Sequence, residues 1–223
     1  MARLETHLGG KGRRGRRSES RTPRRSFLIV CEGAVTEVRY FEAFPVRKDV
    51  LVAIRGEGKS TLSLVAAAVE HATRAAKEDA PYDEVWVVYD HDDFGADKFN
   101  RAADDIRNLN DSRPEKWHAA WSHQAFEVWY LLHFQFFDGR LHRHLVQDKL
   151  GELLRQHHGR TSYRKNDPAI YDLLLARQPV ALKHARRLAE KHRVAPFGDT
   201  PPADANPCTL VYQLVEALNA EIR

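Results

Sequence analysis

The stretch Phe27-Leu28-Ile29-Val30-Cys31-Glu32-Gly33-Ala34-Val35-Thr36-Glu37 narrows the folds open to this chain. Its apolar run has no polar alternation, the pattern of a strand covered on both faces in a parallel sheet. Gly33 supplies the tight backbone of a strand-to-helix turn, and Thr36 is the expected N-cap of the helix that follows. Glu32 therefore stands at the C-terminal edge of a strand, where open α/β sheets build their sites. A second stretch, Val85-Trp86-Val87-Val88-Tyr89-Asp90-His91-Asp92-Asp93, is another buried strand, and it ends in carboxylates. Like charges this close need a counter-charge. A divalent cation that takes oxygen ligands, Mg²⁺ or Mn²⁺, is the usual one.

The rest of the chain supports an α/β reading. Val50–Ile54 and Trp117–Trp121 read as two more strands. Helices are expected over Thr36–Phe44, over Leu62–Lys77 (with Leu62, Val65, Ala66, Val69 and Ala72 on one face), and from a cap at Asp97 to about Leu109. The order β-α-β-α-β-α-β predicts a parallel sheet with right-handed crossovers. Residues 124–137 are apolar on nearly all sides and predict a buried helix, in which Glu127 is the anomaly. A glutamate is rarely buried unless it is paired or binds a metal. Beyond about residue 138 the chain reads as helical. Helices are expected through Leu141–Leu154, over Pro168–Leu175, from Pro179 to His192, and from an Asn206 cap with Pro207 at the first helical position.

Charge is unevenly placed. Residues 1–25 carry nine Lys or Arg, Arg13, Arg14, Arg16 and Arg17 among them, against two Glu. The whole chain is only +4, so everything after residue 25 is net negative. The first 25 residues are too poor in large apolar groups to offset ordering entropy, and they read as a disordered basic tail. That tail is either an arm that neutralises phosphates or a solubilising segment. The domain is then residues 26–223.

Other motifs carry less. Gly58-Lys59-Ser60 follows a strand and opens a helix, but Ala53 stands where a P-loop needs glycine. His142-x-His144 and His157-His158 lack the further ligands of a zinc site. Cys31 lies in a core strand, where a thiol is inert. Two cysteines imply no disulfide framework and fit a cytoplasmic protein. No apolar run reaches the ~20 residues of a membrane span.

Three motif groups together resemble one family. They are Cys31-Glu32-Gly33 with Thr36-Glu37 and Tyr40-Phe41; Trp86 through Asp93; and Phe126-Glu127-x-Trp129 with Leu131-Leu132-His133-Phe134. This spaced set resembles the RloB-like family, which is associated with restriction-modification loci and phage defence. Its acidic motifs resemble the Toprim domain of primases, topoisomerases and overcoming-lysogenization-defect nucleases. The resemblance implies a Toprim-like sheet and a metal-dependent nuclease acting on DNA or RNA. Asp90 and Asp92 would hold Mg²⁺ or Mn²⁺. Glu32 would be a general base or a ligand to a second metal, and Glu127 a further ligand or the group that orients a water. Asp93 is a further candidate ligand, although Toprim motifs place the third carboxylate one position on, where this chain has Phe94. Lys59, Lys165, Arg186 and Arg187 are candidates for phosphate contact. The chain departs from its relatives at His123-Gln124, where they carry Asn-Pro. The rival class is a non-catalytic subunit that binds nucleic acid or a partner and uses the carboxylates as a regulatory cation site. An ATPase partner encoded nearby fits either reading.

Shortening the chain from its N-terminus through the basic stretch is expected to weaken nucleic-acid binding and flatten its salt dependence, because counterion release scales with neutralised phosphates. Filter binding at several salt concentrations measures both. An unchanged salt slope assigns the stretch to solubility alone.

Overall fold

The computed structural model describes residues 24–91, 95–140, 142–160 and 162–222. Its centre is a five-stranded sheet in the order β2-β1-β3-β4-β5. The strands are β1 (Arg25–Cys31), β2 (Val50–Gly56), β3 (Glu84–Asp90), β4 (Lys116–His123) and the two-residue β5 (Cys208–Thr209). The first four are mutually parallel, and β5 pairs antiparallel with the end of β4. The unbroken apolar runs behave as expected: Phe27 through Cys31 are wholly buried, and Val85 through Tyr89 nearly so.

The helices are α1 (Thr36–Glu42), α2 (Thr61–Lys77), α3 (Ala96–Ser112), α4 (Glu127–Leu131), α5 (Arg143–His158), α6 (Ile170–Leu175), α7 (Gln178–His192) and α8 (Val211–Asn219). The connection from β1 to β2 and the connection from β2 to β3 leave in opposite directions. With right-handed crossovers, this sends α1 to one face and α2 and α3 to the other. α2 and α3 pack on each other and on the strands. On the α1 side, Tyr40 makes ring contacts with Phe41, Phe44, Phe126, Tyr130 and Tyr171 at centroid separations of 5.4–5.9 Å. Those rings come from α1, α4, α6 and the turn residues flanking them, so one aromatic cluster fastens the helical C-terminal part to the sheet.

Several expectations are corrected. β1 begins at Arg25, inside the stretch read as tail. Its guanidinium bridges Glu84 and Glu221, at 2.8 Å to the latter, which gives a strand start an ionic anchor. Residues 1–23, with Arg13, Arg14, Arg16 and Arg17, lie outside the described residues. Thr36 is the first residue of α1 and not its cap. In α2 the inward face is Thr61, Leu64, Val65, Ala68 and Ala72, and Ala66 is exposed. α3 is preceded by Gly95, and Asp97 lies in its first turn. In α5, Leu145 is 53% exposed, outside the buried row Val146, Leu150 and Leu154.

The helix expected over residues 124–137 is confined to α4. The Nδ1 of His133 donates to Trp129 O and that of His184 to Leu132 O, both at 2.9 Å. Imidazoles thus satisfy carbonyls that a longer helix would have paired with its own amides. Asn206-Pro207 does not open a helix. Its peptide bond is cis, the chain pairs as β5, and α8 starts at Val211.

Arg25→Ala would leave Glu84, with Trp86 Nε1 at 3.0 Å and His118 Nε2 at 3.7 Å, and Glu221, with Arg47 at 3.5 Å, each 7% exposed at the side chain and without their shared guanidinium. The expected loss is roughly 1–3 kcal/mol, because a buried carboxylate loses its cation while solvent already screens part of the pair. Urea denaturation measures it, and an unchanged midpoint means the remaining partners suffice.

Candidate functional site

The parallel order reverses direction between β1 and β3. Ligand sites of open α/β sheets lie at such a switch point, outside the C-terminal strand ends. Glu32 and Asp90 straddle it. The Glu32 amide donates to Val88 O at 2.9 Å, and its carbonyl accepts from Gly58 N–H at 2.9 Å. Its side chain turns across the gap, so that Oε2 accepts the Asp90 amide at 3.1 Å. Glu32 therefore holds the end of β3 as well as ending β1.

The turn after Glu32 is closely packed. A Cβ on Gly33 would lie 2.2 Å from Glu37 Oε2, and one on Gly56 would lie 2.8 Å from Ala34 Cα. The missing Cβ at Gly56 lets β2 meet the turn into α1, and the missing Cβ at Gly33 leaves room for the Glu37 carboxylate. Glu37 itself is 6% exposed and sits in that first turn.

A cleft of about 360 Å³ opens here. Its walls include Glu32, Glu37, Asp90, Glu127, Arg143 and Lys165. Glu127 is the first residue of α4, and its side chain is 4% exposed. Its Oε1 accepts from Gln147 Nε2 at 3.1 Å and from the Tyr163 hydroxyl at 3.2 Å, with Lys165 Nζ at 3.9 Å. The loop carrying Tyr163 and Lys165 is tied to α1, where Thr36 Oγ1 donates to Lys165 O at 3.0 Å and Arg39 donates to Asn166 O at 2.6 Å.

The electrostatics follow from the crowding. Burial, and then the Glu127 charge, push the Glu37 carboxyl up, opposed by backbone donors and Lys165. Burial and the Glu127 charge push the Tyr163 phenol far up, so it stays a donor. Cys31 is pushed well up by burial, then by Glu37 and Asp90, which leaves it an inert thiol.

Glu32, Asp90, Glu127 and Lys165 thus share one cleft. Asp92 and Asp93 lie outside the described residues. Lys59 is not in the cleft: it pairs with Glu57 at 2.7 Å, and Glu57 also meets His71. Arg186 pairs with Glu216 at 2.6 Å, and Arg187 lies over the Phe136 ring at 4.0 Å, both away from the cleft. Sequence reading missed Glu37, Arg143, Gln147 and Tyr163. Glu37 was visible beside Thr36 but read as a helix start, and nothing local marks Gln147 or Tyr163.

The cleft presents hard oxygen donors of the kind Mg²⁺ and Mn²⁺ accept, and a cation would relieve the repulsion that raises Glu37. Among the described residues, no three His, Cys, Asp or Glu side chains gather closely enough to form a ligand set by themselves. A larger cleft of about 1320 Å³ lies elsewhere, between α3, β4 and α7, and has no strand-end carboxylates.

The match to a family model decides the relationship. The chain matches the RloB-like protein family over residues 27–218. It is a member of the RloB-like family. The match spans β1 through most of α8, so strand ends and helical wall belong to one family unit. No curated protein and no solved structure is significantly similar to the chain.

Glu37 gives this RloB-like protein a signed pH dependence. A carboxyl whose folded pKa is raised contributes stability below its unfolded pKa and loses it as pH rises through the folded value. Glu37→Gln is therefore expected to gain on the native protein as pH climbs from about 4 toward 7, beginning near the usual glutamate value. Metal-free thermal melts along that series measure the gap. A gap that stays constant with pH shows that Glu37 titrates alike in the folded and unfolded chain.

Proposed function

We propose that this RloB-like protein is a Mg²⁺- or Mn²⁺-dependent nuclease of the Toprim type that hydrolyses phosphodiesters in nucleic acid, in anti-phage defence of the abortive-infection or restriction-linked kind. One observation carries the reading: Glu32, Asp90 and Glu127 open into a single cleft at the switch point, beside Lys165 and Arg143. The defence role draws on the association of the family with restriction-modification loci.

In this reading Asp90 and Asp92 would hold the cation, and Glu32 would be the general base or a ligand to a second one. Bound there, a divalent ion supplies charge stabilisation to the attacking and leaving oxygens of an in-line displacement. The chain's own residues do the rest. Glu32, held against the Asp90 amide, is placed to take a proton from the attacking water. Glu127, gripped by Gln147, Tyr163 and Lys165, orients that water. Lys165 and Arg143 meet phosphate oxygens.

A second reading, a non-catalytic nucleic-acid- or partner-binding subunit with a regulatory cation site, draws support from Glu127. Its Oε1 already has two hydrogen-bond donors and the Lys165 ammonium at 3.9 Å, and no described ligand set is complete without further residues.

Purified protein incubated with plasmid DNA and with total RNA, in Mg²⁺, in Mn²⁺ and in chelator, separates the two. Metal-dependent cleavage is expected, with Asp90→Asn abolishing it and Glu127→Gln lowering it by about 100-fold or more. Asp90→Asn should leave metal-free stability within about 0.5 kcal/mol, since it removes a repelling charge and keeps the side-chain shape. Intact substrates under every condition would sink the nuclease reading. A large metal-free destabilisation would make Asp90 a structural carboxylate.

A further inference from the structure

The turn that follows α4 runs Phe134-Gln135-Phe136-Phe137 and lies between α5 and α7. Three phenylalanines in four residues, all only half-buried, are costly to leave beside water. Each is covered by a cation from a neighbouring element. Arg177 lies over Phe134 at 5.6 Å, Arg187 over Phe136 at 4.0 Å, and Lys149 over Phe137 at 5.6 Å. Imidazoles complete the set: His157 stacks on Phe134 at 5.2 Å, and His184 meets the edge of Phe136 at 5.6 Å.

Cation–π contact alone would fit a solvated face, but the pairing pattern differs from one. Arg177, Arg187 and Lys149 form no ion pair with a carboxylate among the described residues, whereas Arg186, next to Arg187, pairs with Glu216. The turn's own acid, Asp138, is taken up by Lys191 at 2.6 Å. Arg187 also feels the Asp138 charge, but none of the three cations is bonded to a carboxylate among the described residues. Arg187 is exposed and Arg177 half-buried, where its guanidinium donates to His157 Nδ1 at 3.3 Å, and a guanidinium plane is a surface on which a nucleobase stacks. Duplex bases offer no free face, whereas single-stranded bases do.

We propose that this turn binds single-stranded nucleic acid, with unpaired bases stacking on Arg177 and Arg187 over their phenylalanines and Lys149 meeting a phosphate. The inference rests on the nuclease reading only for the direction of the strand. α4 begins with Glu127 in the cleft and ends at Leu131, three residues before Phe134, so the turn and the cleft lie at opposite ends of one short helix. The substrate class of the proposed nuclease is then single-stranded or looped.

The test is binding by the full chain in chelator, where nothing is cleaved. The probes are a fluorescein-labelled mixed-sequence 15-mer, its duplex, and the same strand carrying 2-aminopurine. The native protein is expected to prefer the single strand by about ten-fold and to quench 2-aminopurine, as stacking on aromatic and guanidinium faces does. Arg177→Lys with Arg187→Lys keeps the charge and removes the planar faces. That variant should lose about ten-fold on the single strand, lose the quenching, and keep duplex binding and melting temperature. Lys149→Gln, which disturbs no arginine, should weaken both probes and leave the quenching. Undiminished single-strand binding by the double lysine variant, a duplex preference, or no binding by the native protein overturns the proposal. Strand binding without cleavage in any metal would end the nuclease reading and leave this surface standing. Cleavage with strand binding indifferent to the two arginines would do the reverse.

Discussion

Everything at the site depends on β1 and β3 lying side by side while their connections leave in opposite directions. That adjacency opens a crevice at two strand ends, and both end in a carboxylate. The hydrogen bond from the Asp90 amide to Glu32 Oε2, 3.1 Å long, fixes the two ends to each other. The strand-end amide is capped by a carboxylate that also lines the cleft. Gly56 serves the same closure from the other side, because a Cβ there would meet the Ala34 backbone where β2 passes the turn into α1.

The sheet was readable because its central strands are buried on both faces. No polar residue interrupts Phe27–Cys31 or Val85–Tyr89, and only a strand within a covered sheet, or a helix too short to be one, has that pattern. The end of α4 was not readable, because it is set by imidazoles, one of them 52 residues further along the chain. β5 was hidden for a related reason. Asn206-Pro207 has the local chemistry of a helix start, and its pairing with Ser122 and His123 overrides that chemistry. The candidate site divides in the same way. Glu32, Asp90 and Glu127 stand out as charges in apolar surroundings, whereas Tyr163 and Gln147 reach Glu127 from segments with no distinguishing composition.

The buried carboxylates are not equivalent. Glu127 is met by an amide, a phenol and an ammonium group, while Glu37, in the adjoining wall, is pushed up by burial and by the charge of Glu127. Glu127 is held by donors from two other segments, whereas burial and the Glu127 charge favour the neutral form of Glu37.

The loop bearing Tyr163 and Lys165 is fastened to α1 through main-chain oxygens, those of Lys165 and Asn166. A tether made to backbone is indifferent to the side chains it carries. Position 165 can change its charge, length or polarity while Thr36 and Arg39 keep the loop where it is. The wall of the cleft is thus a mounting whose fittings are interchangeable, which separates the history of the fold from the history of whatever the cleft receives.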